Sequence, residues 1–136
     1  MKFKKQKTDR TDYTIEVNKE IKTAIVKFHG KVGKESLESS FVDLLSHEDF
    51  VKNANACYNY SNAYFSANMQ EIEKHAQFVN ERREERGDSY KLAFVTRDKL
   101  TKTLLEIYKL LIAHTAVEVK VFTIHKRAVE WIEKRK

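Results

Sequence analysis

The sequence has no proline, only three glycines and a single cysteine. Without proline, or a tract rich in glycine and serine, the chain offers no sign of a linker between domains. Because Cys57 has no second cysteine to pair with, an internal disulfide is excluded, and the sequence predicts a cytoplasmic protein in a reducing compartment. No apolar run approaches the roughly 18 residues that a membrane-spanning helix requires.

Motifs for three kinds of chemistry are also missing. The glycines match neither GxxxxGK[ST] nor GxGxxG, the loops that hold nucleotide phosphates. The five histidines show no HxH, HxxxH or HExxH spacing, and Cys57 has no CxxC partner, so we predict no metal site and no cofactor. Ser61 and Ser66 lack the flanking glycines of a nucleophile elbow, and Cys57 is interpreted as a buried, inert thiol. We therefore expect no enzymatic activity.

Positive charge is present in excess, with a net charge of +6, but it is concentrated at the two ends. Four lysines lie within residues 1–7, and residues 133–136 carry a net charge of +2. Residues 8–132 are therefore formally neutral. A groove that follows a nucleic-acid backbone needs basic side chains on the folded body, so we expect no specific nucleic-acid partner. Residues 1–10 are interpreted as a basic tail, and residues 11–136 as one domain with its own core.

Strand and helix patterns alternate along the predicted domain. The short turn between the first two strands predicts an antiparallel pair, whereas helical crossovers between the later strands predict parallel pairing. The order β-β-α-β-α-β-α-β-α therefore predicts an α/β fold, with a mainly parallel five-stranded sheet and an antiparallel N-terminal strand. The predicted strands are 11–18, 22–30, 54–61, 90–96 and 117–123, and the predicted helices open at Gly33, open at Asn68, or span 97–114 and 125–134.

The stretch YNYSNAYFSANMQEI, residues 58–72, is where a predicted strand gives way to a helix. Such junctions hold phosphates, nucleophiles or phosphorylated serines in many α/β proteins. Asn68 is predicted to cap the helix, with Glu71 completing a capping box. Tyr58 and Tyr60 should share one strand face, where they either fill the core or line a ligand pocket. The junction supplies a first candidate interaction or ligand surface: Ser61, Asn62, Tyr64, Ser66 and Asn68.

The helix predicted over residues 97–114 is apolar over more than one face. In its segment LLEIYKLLIA, residues 104–113, apolar side chains cover more of the helix surface than the single stripe that is typical of a surface helix. Either a neighbouring element covers the far side, or the helix meets a second subunit; exposed apolar patches of this kind favour an interface. We therefore predict a homodimer or a protein partner, with Leu105, Tyr108 and Ile112 as the second candidate surface.

Three segments make the layout similar to the SpoIIAA-like superfamily of STAS-like and CRAL-TRIO-like domains. They are FHGKVGKESLESSFVDLLSHEDF from residue 28, KLAFVTRDKL from residue 91, and VKVFTIHKRAVEWI from residue 119. More closely, the chain resembles small stand-alone bacterial proteins of that group with no assigned biochemical role. The resemblance covers the chain from about Tyr13 to Glu133, and its motifs are packing signatures.

The resemblance implies two functions. A STAS-like domain is a non-enzymatic regulatory or protein-interaction module, whereas a CRAL-TRIO-like domain carries a small apolar ligand or a lipid in a pocket. STAS antagonists of anti-sigma factors are phosphorylated on a serine at the start of the second helix. In this chain the position falls near Ser66-Ala67-Asn68-Met69, with Asn68 closest, and asparagine cannot accept a phosphoryl group. The phosphorylation switch of those relatives is therefore expected to be missing.

Overall fold

The computed structural model of the chain describes residues 11–112 and 116–134. The predicted basic tail, residues 1–10, lies outside the described residues. The strands are β1 (Thr11–Asn18), β2 (Thr23–Val32), β3 (Asn55–Phe65), β4 (Lys91–Val95) and β5 (Glu118–Phe122). The helices are α1 (Lys34–Ser46), α2 (Met69–Glu81), α3 (Arg83–Arg86), α4 (Lys99–Ile112) and α5 (His125–Glu133).

The five strands form one sheet in the order β1-β2-β3-β4-β5. β1 pairs antiparallel with β2, and every later pair is parallel. The predicted α/β fold, with an antiparallel N-terminal strand on a parallel sheet, is confirmed. All the parallel strands end at the same edge of the sheet, here called the carboxyl edge.

The helices cover the two faces of the sheet unequally. α1, α2 and α4 pack on one face, where Phe28, Ile72 and Leu105 belong to the larger hydrophobic cluster. α5 packs on the opposite face against β3, β4 and β5, where Ala128 and Ile132 meet Cys57 in a smaller cluster. As predicted, Tyr58 and Tyr60 share one face of β3, while Cys57 lies on the other.

β3 is longer than predicted, and it contains a bulge. Lys27 pairs with Asn59 and His29 pairs with Asn62, so Tyr60 and Ser61 both lie opposite Phe28. The N–H of Ser61 donates to Oδ1 of Asn59 at 2.8 Å. Beyond the bulge β3 pairs with β2 again as far as Phe65, so the predicted strand end at residue 61 is wrong.

α4 offers little of its predicted interface to solvent. Leu105, Tyr108 and Ile112 are 2%, 7% and 3% exposed, so the assignment of these residues to a surface is wrong. The sequence left two explanations for the apolar helix open: cover by a neighbouring element, or contact with a second subunit. The structure favours cover by a neighbouring element, because α4 packs against both α2 and the sheet. The most exposed large apolar side chain of α4 is Leu110, at 76%.

Candidate functional site

The residues of the strand–helix junction all lie on the surface at the carboxyl edge. Ser61, Asn62, Tyr64, Ser66 and Asn68 are exposed, as the first candidate surface requires. The structure therefore gathers these five residues and separates them from the other three predicted site residues, which are in the core.

Hydrogen bonds occupy two polar residues just before α2, Ser66 and Asn68. The N–H of Glu71 donates to Oδ1 of Asn68, and the N–H of Asn68 donates to Oε1 of Glu71, each at 2.9 Å. The predicted capping box is confirmed. Ser66 donates its N–H to the carbonyl of Val32 at 2.8 Å, and its hydroxyl lies 3.3 Å from the same oxygen. These contacts give both residues a structural role.

The start of α4 is joined to the end of β3. The N–H of Phe65 donates to Oγ1 of Thr101 at 3.2 Å. Oδ2 of Asp98 accepts both the N–H and the hydroxyl of Thr101 at 2.8 Å, and these bonds lower the pKa of the Asp98 carboxyl. Asp98 is therefore committed to capping α4.

Large apolar side chains are exposed beside these helix starts. We call Tyr64, Met69, Leu100 and Ile124 the carboxyl-edge patch. Each stands at the end of a strand or the start of a helix: Tyr64 near the end of β3, and the others where α2, α4 and α5 begin. Their exposed fractions run from 44% to 61%. Four exposed cations belong to the same segments: Arg97, Lys99, Lys126 and Arg127.

On the α5 face, Cys57 lies near a histidine that sequence reasoning did not connect with it. Sγ of Cys57 is 3.9 Å from Nδ1 of His125, and Nδ2 of Asn59 is 3.0 Å from the same nitrogen. Burial raises the pKa of the Cys57 thiol to about 12 and lowers the pKa of His125. Because Nδ1 already accepts from Asn59, and because the thiol is fully buried, this cluster does not provide an activated nucleophile.

A cavity of about 30 Å³ lies between the sheet and helices α1, α2 and α4. Its walls are largely aromatic and aliphatic, and no acidic side chain is among the described residues that line it. Tyr108 and Leu105, from the second candidate surface, contribute to these walls. The polar groups of the lining are Ser40, His75, Arg86 and the hydroxyls of Tyr58, Tyr60, Tyr90 and Tyr108.

Arg86 places a cation in this cavity. Its side chain is 2% exposed, and neither Nη1 nor Nη2 has a hydrogen-bond partner within the part of the chain that the structure describes. The guanidinium carbon lies 3.6 Å from the centre of the Tyr90 ring and 5.6 Å from that of Phe50. Stacking on an aromatic face offsets part of the desolvation of a cation, but a buried charge without an opposite charge remains costly.

The other titratable groups of the cavity are neutral near pH 7. Burial raises the pKa of Tyr58 to about 12, although the charge of Arg86 lowers it. Burial also raises the pKa of Tyr60 and Tyr108 well above its ordinary value. Burial lowers the pKa of His75 to about 4, with a smaller contribution from Lys34, and Nδ1 of His75 has no partner among the described residues. The phenols can therefore donate hydrogen bonds, and none of these groups neutralises Arg86.

A tight turn fixes the backbone at Arg86. The carbonyl of Arg86 accepts the N–H of Asn53 at 2.9 Å, and Oδ1 of Asn53 accepts the N–H groups of Asp88 and Ser89, both at 3.0 Å. Gly87 has φ 101°, and a Cβ atom there would lie 2.1 Å from Oδ1 of Asn53. Both the positive φ and the close approach require glycine at this position.

Comparison with known proteins identifies the fold. No family model matches the chain, and no curated protein matches it. The crystal structure of an uncharacterized protein of the DUF3478 family from Shewanella loihica PV-4, described as having a SpoIIAA-like fold, is similar over 96% of this chain and 99% of that one, with a TM-score of 0.59 and 14% identity. The chain has a SpoIIAA-like fold. The predicted resemblance is confirmed at the level of the fold, and it carries no named function, because that protein has none.

Within residues 11–112 and 116–134, no helix is both long enough and apolar enough to cross a membrane. Across the same residues, no group of three or more His, Cys, Asp or Glu side chains is placed to hold a metal ion.

Proposed function

We propose that this chain is a non-enzymatic STAS-like module that binds a protein partner at the carboxyl edge of its SpoIIAA-like sheet. The observation that carries this proposal is the carboxyl-edge patch, in which large apolar side chains are exposed beside the starts of three helices. Apolar residues exposed singly are ordinary on a soluble domain, whereas a group with a polar surround is typical of a protein-binding site. Ser61, Asn62, Ser66 and Asn68 form part of that surround.

The exposed charges at this edge favour an acidic partner. Arg97 and Lys99 closely precede Leu100 in the chain, and Lys126 and Arg127 follow Ile124 closely. The carboxylate between Arg97 and Lys99 belongs to Asp98, and it is occupied by Thr101. A partner segment with apolar side chains flanked by Asp and Glu would match both the patch and its charge.

Two observations support the absence of an enzymatic step. The thiol of Cys57 is buried, and its pKa is raised to about 12, so it is protonated at neutral pH. At the position that resembles the phosphorylated serine of STAS antagonists, Asn68 uses its side chain to cap α2. The proposal is therefore binding without phosphoryl transfer to this position.

A lipid carrier receives less support. The cavity of about 30 Å³ has room for one or two water molecules, whereas pockets that enclose a drug-sized ligand measure roughly 300–1,000 Å³. An acyl lipid would require the helices to move away from the sheet.

Site-specific photo-crosslinking in cells tests the proposed surface. A photoreactive residue in place of Leu100 should form an adduct with a partner protein. The same residue in place of Leu110, ten positions and about 15 Å along α4, should not. Ile124→Glu should abolish the adduct at position 100, because it places a negative charge within the patch and opposite an acidic partner.

Three outcomes distinguish the alternatives. An adduct with an acidic protein that is lost in Ile124→Glu supports the proposal. An adduct of twice the mass of the chain would favour a homodimer at this edge instead. Equal labelling from positions 100 and 110, insensitive to Ile124→Glu, would rule out a specific docking surface here.

A further inference from the structure

Arg86 has the features of a binding residue whose ligand is an anion. It is almost fully buried, both terminal nitrogens lack hydrogen-bond partners within the described residues, and the lining of its cavity contains no carboxylate. Arginine is rarely this buried without an opposite charge, because removing a cation from water is costly. Stacking on Tyr90 compensates for only part of that cost.

The cavity has space and hydrogen-bond donors for a small oxyanion. Its volume of about 30 Å³ is sufficient for one or two water-sized groups, which is the size of the two oxygens of a carboxylate. The hydroxyls of Tyr58, Tyr90 and Tyr108 belong to the same lining, and the surrounding walls are apolar. A small organic anion with a single negative charge matches this combination.

We propose that Arg86 and the surrounding cavity form a binding site for a small monocarboxylate, about the size of formate or acetate, whose oxygens are held by the planar guanidinium. Nη1 and Nη2 together form the fork that binds both oxygens of a carboxylate. The cavity presents a single permanent cation, which suits one negative charge better than the two of a phosphate monoester. The site lies between the sheet and the helices, so it is separate from the proposed docking surface.

The turn that holds Arg86 supports a role that depends on position. Asn53 accepts from two backbone N–H groups after Gly87 and donates to the carbonyl of Arg86. Gly87 cannot carry a side chain without striking Asn53. The local sequence therefore fixes the backbone from which the guanidinium reaches into the cavity, as a preformed site requires.

The direct test is thermal unfolding and calorimetric titration of the full chain with acetate, butyrate, octanoate and palmitate. Chloride and inorganic phosphate at matched ionic strength serve as control anions. We expect acetate to raise Tm and to saturate, while chloride does not. The cavity volume predicts tightest binding by the shortest acids, and tightest binding by octanoate or palmitate would refute a small-carboxylate site and favour a carrier of an apolar ligand.

Arg86→Met is the decisive variant, with Arg97→Met as its matched control, because Arg97 is an exposed arginine outside the cavity. Loss of a charge-assisted, two-pronged contact should weaken carboxylate binding by about tenfold or more. Without ligand, Arg86→Met should unfold at the same temperature as the wild type or higher, because an unpaired buried charge has been replaced by an apolar side chain of similar length. Arg97→Met should bind like the wild type.

The result that overturns the proposal is a wild-type chain whose Tm and titration respond to no carboxylate of any length, or respond equally in Arg86→Met. If Arg86→Met does not fold, Arg86→Lys decides, because it keeps the charge and loses the planar fork. Weaker binding by Arg86→Lys supports the site, and unchanged binding refutes it. Ile124→Glu should leave carboxylate binding unchanged, so failure of the docking surface and failure of this site are told apart.

Discussion

At the scale of single residues, His75 couples the stability of the fold to pH. Its ring stacks on Tyr108 and Phe78 and meets Phe41 edge-on, inside the core formed by α1, α2 and α4. Burial lowers its pKa from 6.5 to about 4 in the folded state. Between those two values the unfolded chain binds the proton more tightly, so acid favours unfolding.

We expect His75 to remove about 2 kcal/mol of unfolding free energy between pH 7.5 and pH 5. The loss begins as the pH falls through 6.5 and is complete below pH 4. Urea unfolding of the wild type and of His75→Phe at both pH values measures it, since phenylalanine keeps the ring contacts and cannot titrate. If both proteins lose the same free energy on acidification, His75 is not the group responsible, and surface carboxylates are.

The burial of Arg86 was not predicted from the sequence. The segment ERREER, residues 81–86, has no net charge, and such runs are typical of solvated helix ends. The buried residues Ile72, Ala76 and Val79 of α2 continue with helical spacing to residues 83 and 86, but Arg83 is exposed and only Arg86 is buried. Helical phase therefore did not identify Arg86, because α2 ends at Glu81 and the burial of Arg86 depends on tertiary contacts.

At the scale of elements, the question for α4 is whether its apolar residues contact a second subunit or are buried within the same chain. Leu105 and Ile112 are buried, whereas Leu110 of the same helix is 76% exposed. Lysine at position 105 or 112 would place an unpaired charge in the core, at a cost of several kcal/mol. We expect both variants to be unfolded or strongly destabilised, and Leu110→Lys to match the wild type.

Circular dichroism melts of the three variants check this expectation. A folded, monomeric Leu105→Lys together with a dimeric wild type, both by sedimentation, would restore the interface that the apolar width of α4 predicted. The predicted homodimer or protein partner stays a prediction, but the structure buries Leu105, Tyr108 and Ile112 within the chain. Sequence periodicity reports that a helix is covered on two sides, but it does not say whether the cover is α2 of the same chain or a second copy.

Element order and pairing were predictable, and element ends were less so. Alternating patterns and the short turn after β1 determined the topology, and Asn68 and Glu71 marked the start of α2. The extension of β3 to Phe65 was missed because residues 61–63 are small or polar and resemble a loop. Their strand conformation comes from pairing with β2, which is a tertiary effect.

At the scale of the whole molecule, the net charge is concentrated at the two ends of the sequence. Residues 8–132 are formally neutral, and the net charge of +6 comes from the two ends. We expect deletion of residues 1–7 to leave Tm unchanged and to reduce retention on heparin, with the remaining retention falling steeply as salt rises. Chromatography over a salt series compares the full chain, the deletion and Arg97→Gln/Lys99→Gln. Salt-resistant, sequence-selective DNA binding by the full chain would contradict this reading.

Because β3 contains a bulge, the side-chain environments near the carboxyl edge depend on how many residues the strand has at that point. Tyr60 and Ser61 share one partner position opposite Phe28, so side-chain alternation changes phase there, and Phe65 enters the core while Tyr64 faces solvent. Removing one residue at the bulge, such as Ser61, would straighten the strand and leave residues 62–65 opposite their present β2 partners, so Tyr64 and Phe65 would keep their environments. Removing two residues would shift the segment by one position and exchange those environments. The bulge therefore gives this strand one spare residue, so a single deletion should be tolerated there and a double deletion should not.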